Sequence, residues 1–286
     1  MKYTHLVASL ALMFLSSGAL ATPIQGTALQ NGLNGLTQGG QFFNVNTAQY
    51  NPDEVWQITS SGASASALMF EFTQYSGTNT FGIYDIYNPN TRLQLYSGTA
   101  TTGSKRILTV NESQGAGKVK FTSYSLSPWS YATVNNFTSS LFGYYLDTRG
   151  PNNSNPGGAI FCSESVRNIN TSGINGGNKD HMVAFRGDNK LRIDVDGPGG
   201  NGYAPFSSGE FILAMEGTNF NTFTNPGLSP TATYDFADFV VLVQSVNPVQ
   251  MNIPSVSEPK PGALLLLGLL GMLYLQRRRL PLPALS

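Results

Sequence analysis

Three carboxylates near the end of the chain's body are the side chains best placed to do chemistry. Asp235 and Asp238 lie just before the apolar run Phe239 to Val246, and Glu216 directly follows the apolar run Phe211 to Met215. If these runs are antiparallel neighbours, the three carboxylates converge at one end of a sheet. Calcium takes about six to eight oxygen ligands, often from acidic side chains on short loops. The spacing predicts a calcium site, with turn-capping aspartates as the alternative.

Other catalytic arrangements are scarce in this sequence. Once an N-terminal leader is removed, His181 is the single histidine, which excludes zinc sites built from several histidines. A Ser-His-Asp arrangement would have to use Asp180 or a distant partner, and no G-x-S-x-G segment occurs. The paired carboxylates of a glycosidase stay open, because two acids distant in sequence can lie ~5 to 10 Å apart in the fold. A hydrolase of cell-surface polysaccharide is therefore the alternative to a non-enzymatic protein.

Short strands are the elements that must position these groups. Apolar and alternating runs are separated by Gly, Ser, Pro and Asn, and no helical periodicity is sustained between Thr22 and Pro261. This pattern predicts an all-β ectodomain over residues 65–250, an antiparallel β-sandwich of the jelly-roll kind, after an irregular leader at 22–64. The predicted strands are 66–75, 81–87, 93–96, 106–110, 118–124, 141–146, 159–164, 182–186, 191–195, 211–215 and 239–246.

Composition indicates an extracellular protein. Charged residues make up 11% of the chain, against ~25% in ordinary soluble proteins. Between Thr22 and Val256 there are eleven Lys and Arg against fifteen Asp and Glu, with no basic run, which argues against nucleic-acid binding. The single cysteine, Cys162, has no intramolecular partner and is predicted to be a buried strand thiol.

Aromatic residues offer a second kind of chemistry. Trp129, Tyr131, Tyr144 and Tyr203 are candidate aromatic tips on the surface of the sandwich. Tyr and Trp combine an apolar ring with a polar group, so exposed rings can stack on sugars while donating hydrogen bonds. A surface that binds exopolysaccharide or neighbouring proteins is therefore predicted as the function, ahead of catalysis.

Both ends of the chain carry membrane-directed signals. At the start, Lys2 and His5 precede an apolar core at 6–15, and Ala19 and Ala21 form an A-x-A cleavage site, so residues 1–21 are predicted to be a signal peptide.

At the other end, a linker at 251–261 leads into an apolar stretch at 262–276, which is followed by Arg277, Arg278 and Arg279. The stretch is just long enough to span a bilayer if its ends snorkel. The arginines place the tail at 277–286 in the cytoplasm.

The C-terminal layout resembles the PEP-CTERM sorting signal of exported bacterial proteins. Its parts are an acidic-proline motif, here Ser257, Glu258 and Pro259, then the apolar helix and the arginine cluster. The family has Pro-Glu-Pro, so Ser257 stands in place of the first proline. The resemblance implies a partner protease of the exosortase type. It also implies export to the cell surface or extracellular matrix of a Gram-negative-type bacterium, in a biofilm context.

The body resembles an uncharacterised β-rich ectodomain found in PEP-CTERM proteins. The matching blocks are Phe81 to Asp85 with Asn88-Pro89, Asp180 to Phe185, Phe211 to Glu216 and Asp235 to Val241. In that family an aspartate-rich turn enters the final strand, and here Thr233 replaces its first aspartate. The resemblance implies the same β-rich fold and adds no reaction.

Overall fold

The computed structural model describes residues 22–72, 77–112, 118–155, 158–168, 180–197, 202–217 and 234–251. Contacts divide the chain into two units, 1–249 and 250–286, and the fold below is that of the first. It contains one α-helix, α1 (Ala28–Leu36), among the described residues. The strands are β1 (Trp56–Ile58), β2 (Ala63–Phe70), β3 (Thr80–Asp85), β4 (Arg92–Tyr96), β5 (Lys105–Asn111), β6 (Val119–Leu126), β7 (Trp129–Phe137), β8 (Phe142–Asp147), β9 (Ile160–Cys162), β10 (Met182–Arg186), β11 (Arg192–Asp194), β12 (Tyr203–Pro205), β13 (Glu210–Met215), β14 (Phe239–Gln244) and β15 (Val246–Pro248).

These strands form three antiparallel sheets. A seven-stranded sheet has the order β10-β13-β14-β2-β5-β6-β7, and a six-stranded sheet has the order β15-β1-β8-β3-β4, with β9 also paired to β8. The third sheet is the hairpin of β11 and β12. The prediction of a β-rich, antiparallel protein is confirmed, and each predicted strand overlaps an observed one. Strands β1, β7, β12 and β15 were not predicted.

The main hydrophobic cluster takes side chains from both large sheets. Phe81 and Tyr144 come from the six-stranded sheet, and Phe211, Leu213 and Phe239 come from the seven-stranded sheet. Aromatic rings make several of these contacts. The rings of Phe81 and Phe239, one from each sheet, are stacked with centroids 5.2 Å apart.

Several strands of the seven-stranded sheet are buried on both faces. In β13, Phe211 and Leu213 belong to the main cluster, whereas Ile212 and Ala214 between them belong to a second cluster. A strand covered on both sides reads as a continuous apolar run because neither face meets water. That condition explains the unbroken apolar sequence of β13 and β14.

The second cluster includes α1, where an irregular leader was predicted. Leu29, Leu33 and Leu36 are fully buried and follow the i, i+4, i+7 spacing of one helical face. The prediction of an irregular segment at 22–64 was wrong, since this segment contains α1, β1 and the start of β2. Asn and Gly are weak helix formers, so the helix depends on burying its leucine face rather than on intrinsic propensity.

Several predicted segments lie outside the described residues. These are the signal peptide at 1–21, nearly all of the linker at 251–261, the apolar helix at 262–276 and the tail at 277–286. Among the helices that the structure does describe, none has the length and apolar character needed to cross a membrane.

Candidate functional site

Strand pairing aligns four side chains in a row that runs across the seven-stranded sheet. Ala65 pairs with Ile107, Ile107 with Tyr124, and Tyr124 with Tyr131. Residues directly opposite each other in paired strands project from the same face. Ala67, two residues along β2 from Ala65, belongs to the second cluster, so the row lies on the face that α1 covers elsewhere. This face changes from a covered apolar surface near β14 to exposed aromatic rings at β7.

A groove of about 260 Å³ lies on this face. Ala65, Ala67 and Ile107 contribute to its floor, and the alanines keep the floor low because each carries only a methyl group. Val195 and Ala204, beside and within the β11–β12 hairpin, line it too. The volume approaches the lower end of small-molecule sites, ~300 Å³. The full lining is Ala65, Ser66, Ala67, Lys105, Arg106, Ile107, Leu126, Val195, Ala204, Leu242 and Gln244.

Exposed aromatic rings adjoin the groove. Trp129 is 68% exposed and Tyr131 is 70% exposed. Tyr124 lies between them, with its ring centroid 5.6 Å from that of Trp129 and 6.2 Å from that of Tyr131. Leu126 pairs with Trp129 and also lines the groove, which joins the two features. Contiguous exposed apolar surface of this kind marks binding sites on folded proteins. The groove and these four residues are called the aromatic groove below.

Polar groups surround the aromatic groove. Lys105 Nζ lies 2.7 Å from Asp196 Oδ1, with both side chains about half exposed. An exposed pair of this kind adds little stability, about 0 to 1 kcal/mol, so both groups can turn towards a ligand. The hydroxyls of Thr122 and Thr133 lie 3.0 Å apart on the same face as Tyr124. No aspartate or glutamate is among the described residues that line the groove.

The three predicted calcium ligands do lie at one end of the sheet. Strands β13 and β14 pair, with Met215 opposite Phe239, so Glu216 and Asp238 adjoin that pair. Glu216 Oε2 accepts hydrogen bonds from the backbone nitrogens of Asp235, at 3.0 Å, and of Phe236, at 3.2 Å.

The two aspartates also accept backbone hydrogen bonds. Asp235 Oδ1 takes one from Ala237 N at 3.0 Å, and Asp238 Oδ2 takes one from Gly217 N at 2.6 Å. Within the described ranges, no group of three His, Cys, Asp or Glu side chains has the arrangement of a metal site. Glu216, Asp235 and Asp238 therefore accept backbone hydrogen bonds beside the end of β13 and the start of β14, and calcium binding there stays a prediction.

The predicted aromatic tips fall into three groups. Trp129 and Tyr131 are exposed, as expected for rings that contact a ligand, and Tyr203 in β12 is half-buried. Tyr144 was wrongly predicted to be exposed, since only 1% of it is accessible. It alternates with Gly143 and Tyr145 along β8 and points with Phe142 into the main cluster.

His181 and Cys162 are both buried and uncharged near neutral pH. Burial lowers the pKa of His181 to about 4, against a smaller opposing effect of its hydrogen bond with the Glu216 carbonyl. Burial likewise raises the pKa of Cys162 to about 11. The prediction of a buried strand thiol is confirmed, and a thiol with so high a pKa is a poor nucleophile.

The sorting residues Ser257, Glu258, Pro259 and Arg277 to Arg279, and the cleavage residues Ala19 and Ala21, lie outside the described part of the chain. Comparison with protein-family models, with curated proteins and with solved structures gives no match to this chain.

Sequence reasoning missed the groove, and of the four residues beside it, it missed Tyr124 and Leu126. Tyr124 was placed in a predicted strand and Leu126 just after it, but neither was assigned to a face of the sheet. The alanines of β2 were not considered as site residues. The signal was present in the period-2 spacing of Ala63, Ala65 and Ala67, which places three small side chains on one face. Recognising a groove there required knowledge that β5 and β6 continue that face.

Proposed function

We propose that this chain is an exported, non-enzymatic protein of the cell surface or extracellular matrix that binds polysaccharide through the aromatic groove. The observation that carries the proposal is the junction of the exposed rings of Trp129 and Tyr131 with a groove in the same sheet face. Aromatic rings bind the apolar faces of sugars, and the groove gives a glycan chain a second point of contact.

The chemistry of the surrounding residues fits a glycan better than a charged polymer. Thr122 and Thr133 provide hydroxyls and Gln244 an amide. Lys105 and Arg106 provide positive charge, and Asp196, which pairs with Lys105, provides negative charge. These groups donate and accept hydrogen bonds without building a field of a single sign. A neutral or weakly charged exopolysaccharide of a biofilm is the ligand that such a surface suits.

The proposed route to the cell surface depends on the two ends of the chain. The signal peptide would direct export, the apolar helix at 262–276 would hold the protein in the membrane, and an exosortase-type protease would act near Ser257 to Pro259. The two large sheets would face each other as a β-sandwich of the jelly-roll kind. The cluster that both sheets share, with Phe81 stacked on Phe239, supports this arrangement.

Intrinsic fluorescence provides a direct test of binding. The chain has two tryptophans, of which Trp56 is fully buried and Trp129 is 68% exposed. Titration with the soluble extracellular polysaccharide of the producing bacterium should shift the emission to shorter wavelength and protect it from acrylamide quenching. The change should come from Trp129, so a Trp56→Phe variant that stays folded should show it undiminished. Unchanged emission and quenching at saturating polysaccharide would exclude the aromatic groove as the binding site.

Sorting is tested separately from binding. Replacing Arg277, Arg278 and Arg279 together by Ser should impair membrane retention or processing, because the arginines stop transfer and fix the orientation of the preceding helix. The comparison is the intact mass and membrane fractionation of the variant and the parent protein in the native host. Identical mass and identical fractionation would show that the arginine cluster is no sorting element.

A further inference from the structure

Strand β7 ends the seven-stranded sheet with an open edge. In the described part of the chain it pairs with β6 alone. It is nine residues long, the longest strand that the structure describes, and seven of its nine residues are exposed. In an antiparallel strand the N–H and C=O groups of alternate residues point to the same side. About half of the backbone groups of β7 therefore point away from β6, where they can pair with a further strand.

The other sheet edges have features that prevent such pairing. At the opposite end of the same sheet, β10 is partly covered, because Tyr50 N donates a hydrogen bond to Ala184 O at 2.7 Å. In the six-stranded sheet, β15 has only three residues and ends at Pro248. At the far end of that sheet, β4 has five residues, begins with Arg92 and pairs with β3 in an irregular register. Covered, short, charged or irregular edges block association between sheets.

The first two thirds of β7 lack these features. Residues 129–134 pair in unbroken register with residues 121–126 of β6, and the register shifts only beyond Val134. The segment contains no charged residue, no proline and no glycine. Trp129, Tyr131, Thr133 and Val134 are of the residue types that favour strands. A short uncharged segment of high β-propensity on an exposed edge is one that pairs with another copy of itself.

A second copy of this chain is the partner that this edge fits. Two antiparallel copies of β7 are related by a two-fold axis, so outward N–H groups of one copy meet outward C=O groups of the other. Neither copy brings charge to the contact, so no repulsion opposes the pairing and no charge selects a different partner. An axis at Tyr131 places Trp129 opposite Thr133 of the partner subunit, and an axis at Ala132 places Tyr131 opposite it. Either register forms aromatic–β-branched pairs, which stabilise paired strands.

We propose that two copies of this chain associate by antiparallel pairing of their β7 edges, so that their seven-stranded sheets become one continuous sheet. The association stops at a dimer, because a two-fold axis uses the same edge of both copies and leaves no second β7 edge open. The axis is perpendicular to the sheet, which keeps Trp129 and Tyr131 of both copies on one face. The two aromatic grooves then lie on the same side of the dimer. This inference is independent of polysaccharide binding and can fail or hold without it.

Charge substitutions at Ala132 test the pairing. This residue is exposed and lies in the middle of the segment, so its two copies are directly opposite or diagonal to each other across the axis. Ala132→Lys and Ala132→Glu should each raise the dissociation constant of the dimer ~10-fold or more, because like charges meet at the contact. An equimolar mixture of the two variants should associate again, since each lysine then meets a glutamate. Sedimentation velocity of the full-length chain in a mild detergent, over a range of concentrations, measures all of these.

A thiol at the same position gives a second measurement that adds no charge. The chain's single cysteine, Cys162, is buried, and burial raises its pKa to about 11, so it reacts poorly with maleimides. Ala132→Cys should form a covalent dimer with a short bismaleimide, and intact mass should show two chains joined by one linker. Asn247→Cys is the matched control, because Asn247 is an exposed residue of a different edge strand, β15. This control and the parent chain should stay uncross-linked under the same conditions.

Asn247→Lys is the corresponding control for charge and should leave the dimer intact. A parent chain that is monomeric at every concentration, equal weakening by Asn247→Lys and Ala132→Lys, or a mixture of the lysine and glutamate variants that does not associate would each overturn the proposal. Cross-linking of the Ala132→Cys variant on cells of the producing bacterium to other proteins, without the homodimer, would also overturn it. Circular dichroism verifies folding. If the charged variants do not fold, cross-linking of Ala132→Cys decides the question.

Discussion

Replacing Trp129 and Tyr131 together by alanine should reduce polysaccharide binding about 100-fold or more while the protein stays folded. Each ring is about 70% exposed, so truncation removes contact area for a ligand and very little of the core. Aromatic residues dominate binding surfaces, and losing one such contact typically costs ~2 kcal/mol or more. Single variants should each show part of the loss. Affinity electrophoresis in gels containing the polysaccharide gives the dissociation constants, and circular dichroism verifies folding.

Tyr87 provides the matched control for this experiment. It is 61% exposed but follows β3 of the six-stranded sheet, away from the row of paired residues that leads to β7. Tyr87→Ala should bind polysaccharide like the parent protein, because exposure alone does not make a ring part of the site. If both sets of variants lose affinity equally, the interaction is a general surface effect. If neither loses affinity, the aromatic groove is not the ligand site.

Sequence reasoning found the strands whose burial produces a simple pattern of apolar residues. Strands β13 and β14 are buried on both faces and contain only apolar residues over five positions or more. Strand β7 is exposed on nearly all of its length and alternates polar, aromatic and small residues. It is held by its pairing with β6 in a hairpin, and the hydrophobic pattern of β7 itself does not indicate a strand.

Helix α1 was missed because its residue types favour a loop although its leucines have helical spacing. Its leucines have helical spacing, but the residues between them are those that usually mark loops. The helix is stabilised by a sheet face formed from residues 30 to 200 positions later in the chain, such as Ala67 and Ile212. Propensity and burial conflict here, and burial decides because the leucine face is fully covered.

Only the exposed rings of the candidate site, Trp129 and Tyr131, could be predicted from the sequence. Trp129 and Tyr131 are rings next to turn-forming residues, which is a local signal. The groove depends on strands β2, β5 and β14 and on the β11–β12 hairpin, which are brought together by the order of strands in the sheet. The acids before β14 were placed correctly at the sheet end, where Asp235 and Asp238 accept backbone hydrogen bonds.

Asp85, at the end of β3, should be among the most sensitive single positions for stability. It is fully buried, and its Oδ2 accepts from Thr138 N at 2.7 Å while its Oδ1 accepts from Tyr87 N at 2.9 Å. The Thr138 hydroxyl contacts both oxygens at 2.8 Å. The carboxylate thereby joins the turn after β3 to the connection between β7 and β8.

Asp85→Ala should lower the free energy of unfolding by about 3 to 5 kcal/mol, because each donor left unsatisfied in the interior costs ~1 to 3 kcal/mol. Asp85→Asn keeps one acceptor oxygen and should lose roughly half as much. Asp196→Asn is the control, since that carboxylate is 51% exposed and its pairing with Lys105 contributes under ~1 kcal/mol. Urea unfolding followed by the fluorescence of buried Trp56 measures all three. If the Asp85→Ala variant is as stable as Asp196→Asn, the connection between β7 and β8 does not depend on this carboxylate. The position of Trp129 and Tyr131 on β7 would then not depend on it either.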